Sequence, residues 1–367
     1  MKYKLINKDL EICWPKIYDD DIDWFRNQDD LISKNDREKI EEIWDSTKSL
    51  NDKSIIFSNL IDIYNILNKY EHITKTTKNS FENCMELYNT EKKLIKLSYK
   101  PNNYKINERN LDKFNSFLKD GVLMFNADKN LFNKLLENLH SDINYLKNKD
   151  KDKMEVFERG YVMERTKTVD RKGLQIIDLI IKDLDIYSYI KKYYNCEFKL
   201  SSGRLHRSTD EDDHSIQTLN DLIKDNPPIH KNLHIDPKLD MKCIIYLNEV
   251  TNIDGPFSYI KGSHLFGKTS NIEKNFAKAV NVYNINNTKE KRFEFLSLPK
   301  DLQKSANFGN YILNDSVNGK YIKNNLTPLT SDLGNIILFD PEGIHLGGNC
   351  YNGGERIAIQ VILKPII

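Results

Sequence analysis

The sequence predicts an α+β protein, with helices gathered ahead of about residue 103 and strand-like runs concentrated behind it. Three observations carry that reading. IDWFRNQDDLI, REKIEEIWDS, KSIIFSNLIDIYNILNKY and SFENCMELYNTEKKLIKL place apolar residues at three- and four-residue spacing, the period of an amphipathic helix. MKCIIYLNEV and NIILFD are β-branched, apolar runs of strand length. In RIAIQVIL alternate residues would face a barrel interior.

Taken in order, residues 1 to about 103 form a helical extension that carries Trp14, Trp24 and Trp44. Two readings of these indoles stand side by side: packing within the helical layer or against the barrel, and a substrate lid or homodimer surface. YKPNNYKINE, with its Pro-Asn-Asn, is the joint. NLDKFNSFLKDG then predicts a short helix stopped by Gly121 in a left-handed cap, and VLMF a buried strand. Residues 128–148 have helical spacing, and the NKDKDK tract reads as a solvated loop. VFERGYVMERT and CEFKLSSGRLHRS look like strands, separated by one supporting helix over LQIIDLIIKDLDIYSYIKKYY. EDDHSIQTLNDLIKDNPP is a polar insertion at the barrel mouth, where it would shape substrate access. Residues 265–330 far exceed a typical loop of about 4–6 residues, and read either as a lid or as a packed surface decoration.

Composition narrows the function classes. At 367 residues there is material for one large domain or two modest ones, each with a core. Fifty-five basic residues against 54 acidic ones leave a formal charge of +1, which argues against a general nucleic-acid or membrane-surface binder. Cys13, Cys84, Cys196, Cys243 and Cys350 lack CxxC spacing and read as reduced thiols of a cytoplasmic protein. MKYKLINKDLEICW has no continuous apolar core, so no signal peptide is expected, and no run of ~18 apolar residues suggests a membrane span.

The stretch with chemistry in it is His234-Ile235-Asp236, within NLHIDPKLDMKCIIYL. In an extended strand, residues i and i+2 share a face, so imidazole and carboxylate can reach one ion together. With 8 histidines, roughly one His-x-Asp triplet is expected by accident. A second one, His140-Ser141-Asp142, lies in a helical pattern, where i and i+2 diverge by about 200° and cannot chelate. His345, from LFDPEGIHLGG, would add a second imidazole and leave the opposite coordination face open, the 2-His-1-carboxylate arrangement of non-haem Fe(II) sites. Arg356, eleven residues on, offers a planar guanidinium able to hold a carboxylate bidentately.

Other residues could be mistaken for ligands. His230 is expected near the site rim, unliganded, because Pro227-Pro228 suggests that the strand is only beginning there. Arg204 and His206 share a strand face, which would suit either an anionic substrate or a plain surface. His72 and His214 are assigned to the surface.

From about Tyr104 to the C-terminus the chain resembles the phytanoyl-CoA dioxygenase-like family of Fe(II)/2-oxoglutarate-dependent oxygenases. FNSFLKDGVLMF, HIDP, KCIIYLNEV, GPFSYIKGSH, GNIILFDPEGIHLGG and ERIAIQVIL carry the likeness, in that order. The resemblance implies a double-stranded β-helix, a cupin-like jelly roll, over residues 104–367, with supporting helices and a helical extension over 1–103. It implies His234, Asp236 and His345 as iron ligands and Arg356 as partner of the distal carboxylate of 2-oxoglutarate. Tyr246 falls at an aromatic position bordering that co-substrate, and His264 matches a histidine that does not bind the metal. The implied activity uses Fe(II), 2-oxoglutarate and O2 to hydroxylate a small molecule. Presence of Asp236, which halogenating relatives lack, favours hydroxylation. Alternatives are oxidation of a macromolecule (a protein side chain or a nucleotide) and a non-catalytic cupin-like binding protein.

Overall fold

The computed structural model describes residues 32–50, 53–70, 101–148, 165–209, 240–265, 325–348 and 350–366, with isolated positions between them, Asp236 among these. Helices α1 (Lys34–Lys48) and α2 (Lys53–Leu67) pack as a hairpin whose buried faces carry Ile40, Trp44, Ile56, Leu60 and Ile63. Ser33 caps α1 by accepting from the Asp36 amide, and Asn59 donates to Thr47 across the pair at 2.9 Å. Trp44 is thus a packing residue; Trp14 and Trp24 lie outside the described residues. Among the described residues no helix is long and apolar enough to cross a membrane.

The second group of elements starts with α3 (Leu111–Asp120), which ends as expected on Gly121 at φ 74°. Strand β1 (Val122–Asn126) follows directly. Its sequence predicts a buried strand, yet among the described residues it is an edge strand, and Met124 is 36% exposed. Helix α4 (Lys129–Lys147) is capped by Asp128, and β2 (Arg165–Thr168) supplies the opposite edge of the sheet. The single helix expected next is two, α5 (Arg171–Asp183) and α6 (Ile186–Tyr194). Asp185 takes φ 57° between them, a left-handed conformation that a short polar side chain tolerates and that ends the helical ladder.

Strands β3 (Phe198–Thr209), β4 (Met241–Tyr246), β5 (Ser258–Tyr259), β6 (Thr327–Pro328), β7 (Asn335–Phe339), β8 (His345–Leu346) and β9 (Glu355–Pro365) complete the described chain. They form a six-stranded sheet, β1-β7-β4-β9-β3-β2, and a three-stranded one, β6-β5-β8, every pairing antiparallel. At the end of KGSH the chain forms a 3-10 turn over Ser263–Leu265.

Alternation along the strands gives the large sheet two different faces. Phe125, Ile336, Cys243, Ile359, Val361 and Leu205 pack on helices α4 to α6 in one continuous core. The opposite face presents Val122, Tyr246, Ile337, Phe339 and Ala358 to Phe257, Tyr259 and Leu329 of the small sheet and its flanks. Each fully buried side chain of this size contributes about 1.5–3 kcal/mol, and burial on both faces fixes the register of the strands. The second face is the one that matters for chemistry, because its polar exceptions point between the two sheets.

Candidate metal and co-substrate site

The site is built on a turn. After β7, Asp340 accepts from the Glu342 amide at 3.0 Å through its side chain and from the Gly343 amide at 3.0 Å through its carbonyl, folding PEG tightly. Tyr193 donates to the other Asp340 oxygen at 2.8 Å. Burial, with the Asp340 charge beside it, holds that phenol well above its ordinary pKa, so it remains a donor. The turn delivers His345 into β8, where the rings of Phe339, Phe257 and Tyr259 lie 5.2, 5.6 and 6.5 Å from the imidazole. Gly343 is required there: a Cβ would fall 1.8 Å from the Tyr259 hydroxyl, which donates to the Asp340 carbonyl instead.

His345 is 3% exposed, and its Nδ1 lies 2.8 Å from the Gly343 carbonyl. A carbonyl can only accept, so Nδ1 is the donor and Nε2 is the ring nitrogen left facing the space between the sheets. Nε2 lies 3.3 Å from Asp236 Oδ2. Two ligand atoms at right angles on one ion, with bonds of ~2.1 Å, stand about 3 Å apart, so this pair has the spacing of adjacent metal ligands. The Asp236 amide donates to the Pro341 carbonyl at 2.8 Å, and this bond draws the 236 segment onto the turn that holds His345. The donor set therefore fits a divalent cation. Among the described residues no group of three ligands is complete, and His234, the expected third, lies outside them, as do His230, His214 and His72.

Arg356 lies at the start of β9, buried, opposite Ser208 of β3. Its guanidinium donates to the Gly255 and Gly348 carbonyls and to the Ser208 hydroxyl, the last at 3.3 Å. Gly348 and residue 255 approach so closely that a Cβ on Gly348 would sit 2.7 Å from the Gly255 carbonyl carbon. Gly348 is three residues beyond His345, or ~10 Å along an extended chain. Tyr246 is fully buried nearby, its hydroxyl donating to the Leu329 carbonyl at 3.1 Å and accepting from the Phe257 amide at 2.9 Å. Burial raises its pKa, opposed by the Arg356 charge. With its hydroxyl so engaged, Tyr246 offers a neighbouring ligand its ring rather than a hydrogen bond.

Two polar residues of the inward face escape a sequence reading. Ser208 has no local signal at all. Lys242 has one: in MKCIIY it shares the phase of Ile244 and Tyr246, an ammonium where an inward apolar residue is expected. It is 6% exposed, and its Nζ lies 2.6 Å from Asp236 Oδ2. His264 makes a structural contact, with Nε2 3.2 Å from the Leu118 carbonyl. Arg204, exposed, stands opposite Gln360, and His206, half-buried, opposite Ala358; both belong to the inward face but not to the His345–Asp236 pair.

No family model matches the chain, and no curated protein does. Solved structures similar to it include the non-heme alpha ketoglutarate dependent carbocyclase SnoK from nogalamycin biosynthesis, at 10% identity over 71% of this chain and 84% of that one, TM-score 0.41. EctD from S. alaskensis with bound Fe matches at 13% identity over 72% and 79%, TM-score 0.40. HygX from Streptomyces hygroscopicus with nickel and 2-oxoglutarate bound matches at 14% over 72% and 88%, TM-score 0.39.

Proposed function

We propose that the protein is an Fe(II)/2-oxoglutarate-dependent dioxygenase that hydroxylates a C–H bond of a small molecule. The observation that carries this is the buried approach of Asp236 Oδ2 and His345 Nε2 at 3.3 Å, with Arg356 buried on an adjoining strand. His234 is assigned as the third ligand, two residues before Asp236. Residues 104–367 are assigned as the oxygenase domain, a double-stranded β-helix, which the two antiparallel sheets facing each other around Tyr246, Phe257 and Phe339 support. Residues 1–103 are its helical extension and, in this reading, a surface on which two copies meet.

Bound at this site, ferrous iron would couple the decarboxylation of 2-oxoglutarate to succinate and CO2 with O2-dependent C–H oxidation. The protein's part is positional. Arg356 and Ser208 grip the distal carboxylate, the Nδ1 bond to Gly343 orients the ring so that Nε2 faces Asp236, and Phe257, Tyr259 and Phe339 exclude water from the imidazole. Burial of all these groups suits a small substrate better than an exposed macromolecular strand. The test is anaerobic Fe(II) titration followed by succinate measurement in air. Stoichiometric iron and 2-oxoglutarate-dependent succinate are expected; a protein that binds iron without ever forming succinate is a binding protein, and the enzyme reading fails.

A further inference from the structure

Lys242 is the group on the inward face that the fold had least reason to bury. Its neighbours in register are Phe339 on β7 and Ile362 on β9, both apolar, and neither can share its charge. A buried ammonium persists only beside an anion, and here that anion is Asp236. One oxygen, Oδ2, serves both contacts: 2.6 Å to the ammonium and 3.3 Å to His345 Nε2. A metal ion entering between Oδ2 and Nε2 would therefore have to share its carboxylate oxygen with a fixed positive charge. Such an arrangement weakens cation binding. It strengthens the binding of an anion delivered to the same place, and the metal-side carboxylate of a 2-oxoacid is such an anion.

We propose that Lys242 is a positioning residue that exchanges metal affinity for co-substrate affinity, holding Asp236 before the metal enters and attracting the near end of 2-oxoglutarate afterwards. It is the counterpart of Arg356, which holds the far end. The proposal rests on the reading of the site as an iron and 2-oxoglutarate centre, so wild-type protein is titrated first, anaerobically, with Mn(II) and then with 2-oxoglutarate. Wild type that binds neither overturns that reading itself. Given that it binds both, Lys242→Met, which conserves volume and removes the charge, is expected to bind Mn(II) more tightly by about threefold or more and 2-oxoglutarate more weakly by on the order of tenfold. Lys242→Arg should keep both affinities near wild type. A purely structural lysine would lower both affinities together, and that result, or an unchanged 2-oxoglutarate affinity, overturns the proposal. Circular dichroism accompanies each variant; if Lys242→Met does not fold, Lys242→Gln must show the same opposite-signed changes.

Discussion

Two His-x-Asp triplets occur in this chain, and in both the aspartate is paired with a lysine. On α4, Asp142 pairs with Lys167, and the two side chains are 16% and 41% exposed. Between the sheets, Asp236 pairs with Lys242, and the two side chains are 10% and 7% exposed. The first pair keeps its lysine half in water, where an ion pair is worth ~0–1 kcal/mol. The second is desolvated, so the charges cannot be separated cheaply, and the carboxylate also faces an imidazole that arrived from more than 100 residues away. His140 meets Asn144, four residues along its helix, rather than Asp142. The same three letters thus spell a partly exposed helix surface in one place and a buried carboxylate facing an imidazole in the other, and burial together with convergence makes the difference.

Mutation of either triplet tests that contrast. Asp236→Ala should have the largest effect: succinate formation at background, and a loss of on the order of 3–5 kcal/mol in urea unfolding, because Lys242 is left buried without its anion. Adding Lys242→Met should restore most of the stability and none of the activity. A single variant as stable as wild type would show that the pair is not buried as described. Arg356→Ala should leave iron binding intact while costing on the order of 3–5 kcal/mol in 2-oxoglutarate affinity, read by titration. Equal affinity would remove Arg356 from its role. The smallest effect belongs to Asp142→Ala, at under about 1 kcal/mol in the same unfolding assay, with unchanged iron content. Loss of iron there would place the metal on the wrong triplet.

Much of the local structure is legible from the chain. Gly121 marks the end of α3 because only a residue at ease with positive φ can cap a helix so tightly, and the apolar phases of MKCIIY, NIILF and RIAIQVIL name their buried faces. Asp185 is the local failure. Periodicity runs unbroken through LQIIDLIIKDLDIYSYIKKYY, and only the left-handed backbone at 185 divides it. Met124 fails for another reason: VLMF reads as a buried run, but exposure depends on whether a neighbouring strand exists.

Patterns among near neighbours were enough to specify most helices and strands, and to pick out Asp236, His345 and Arg356 as the side chains to watch, since spacing and residue type are local properties. Folding alone brought Asp236 and His345 to 3.3 Å, joined Ser208 to Arg356, and set a lysine on the Asp236 carboxylate. Those meetings depend on strand register and on one backbone bond, from the Asp236 amide to the Pro341 carbonyl, across a separation that no local pattern encodes.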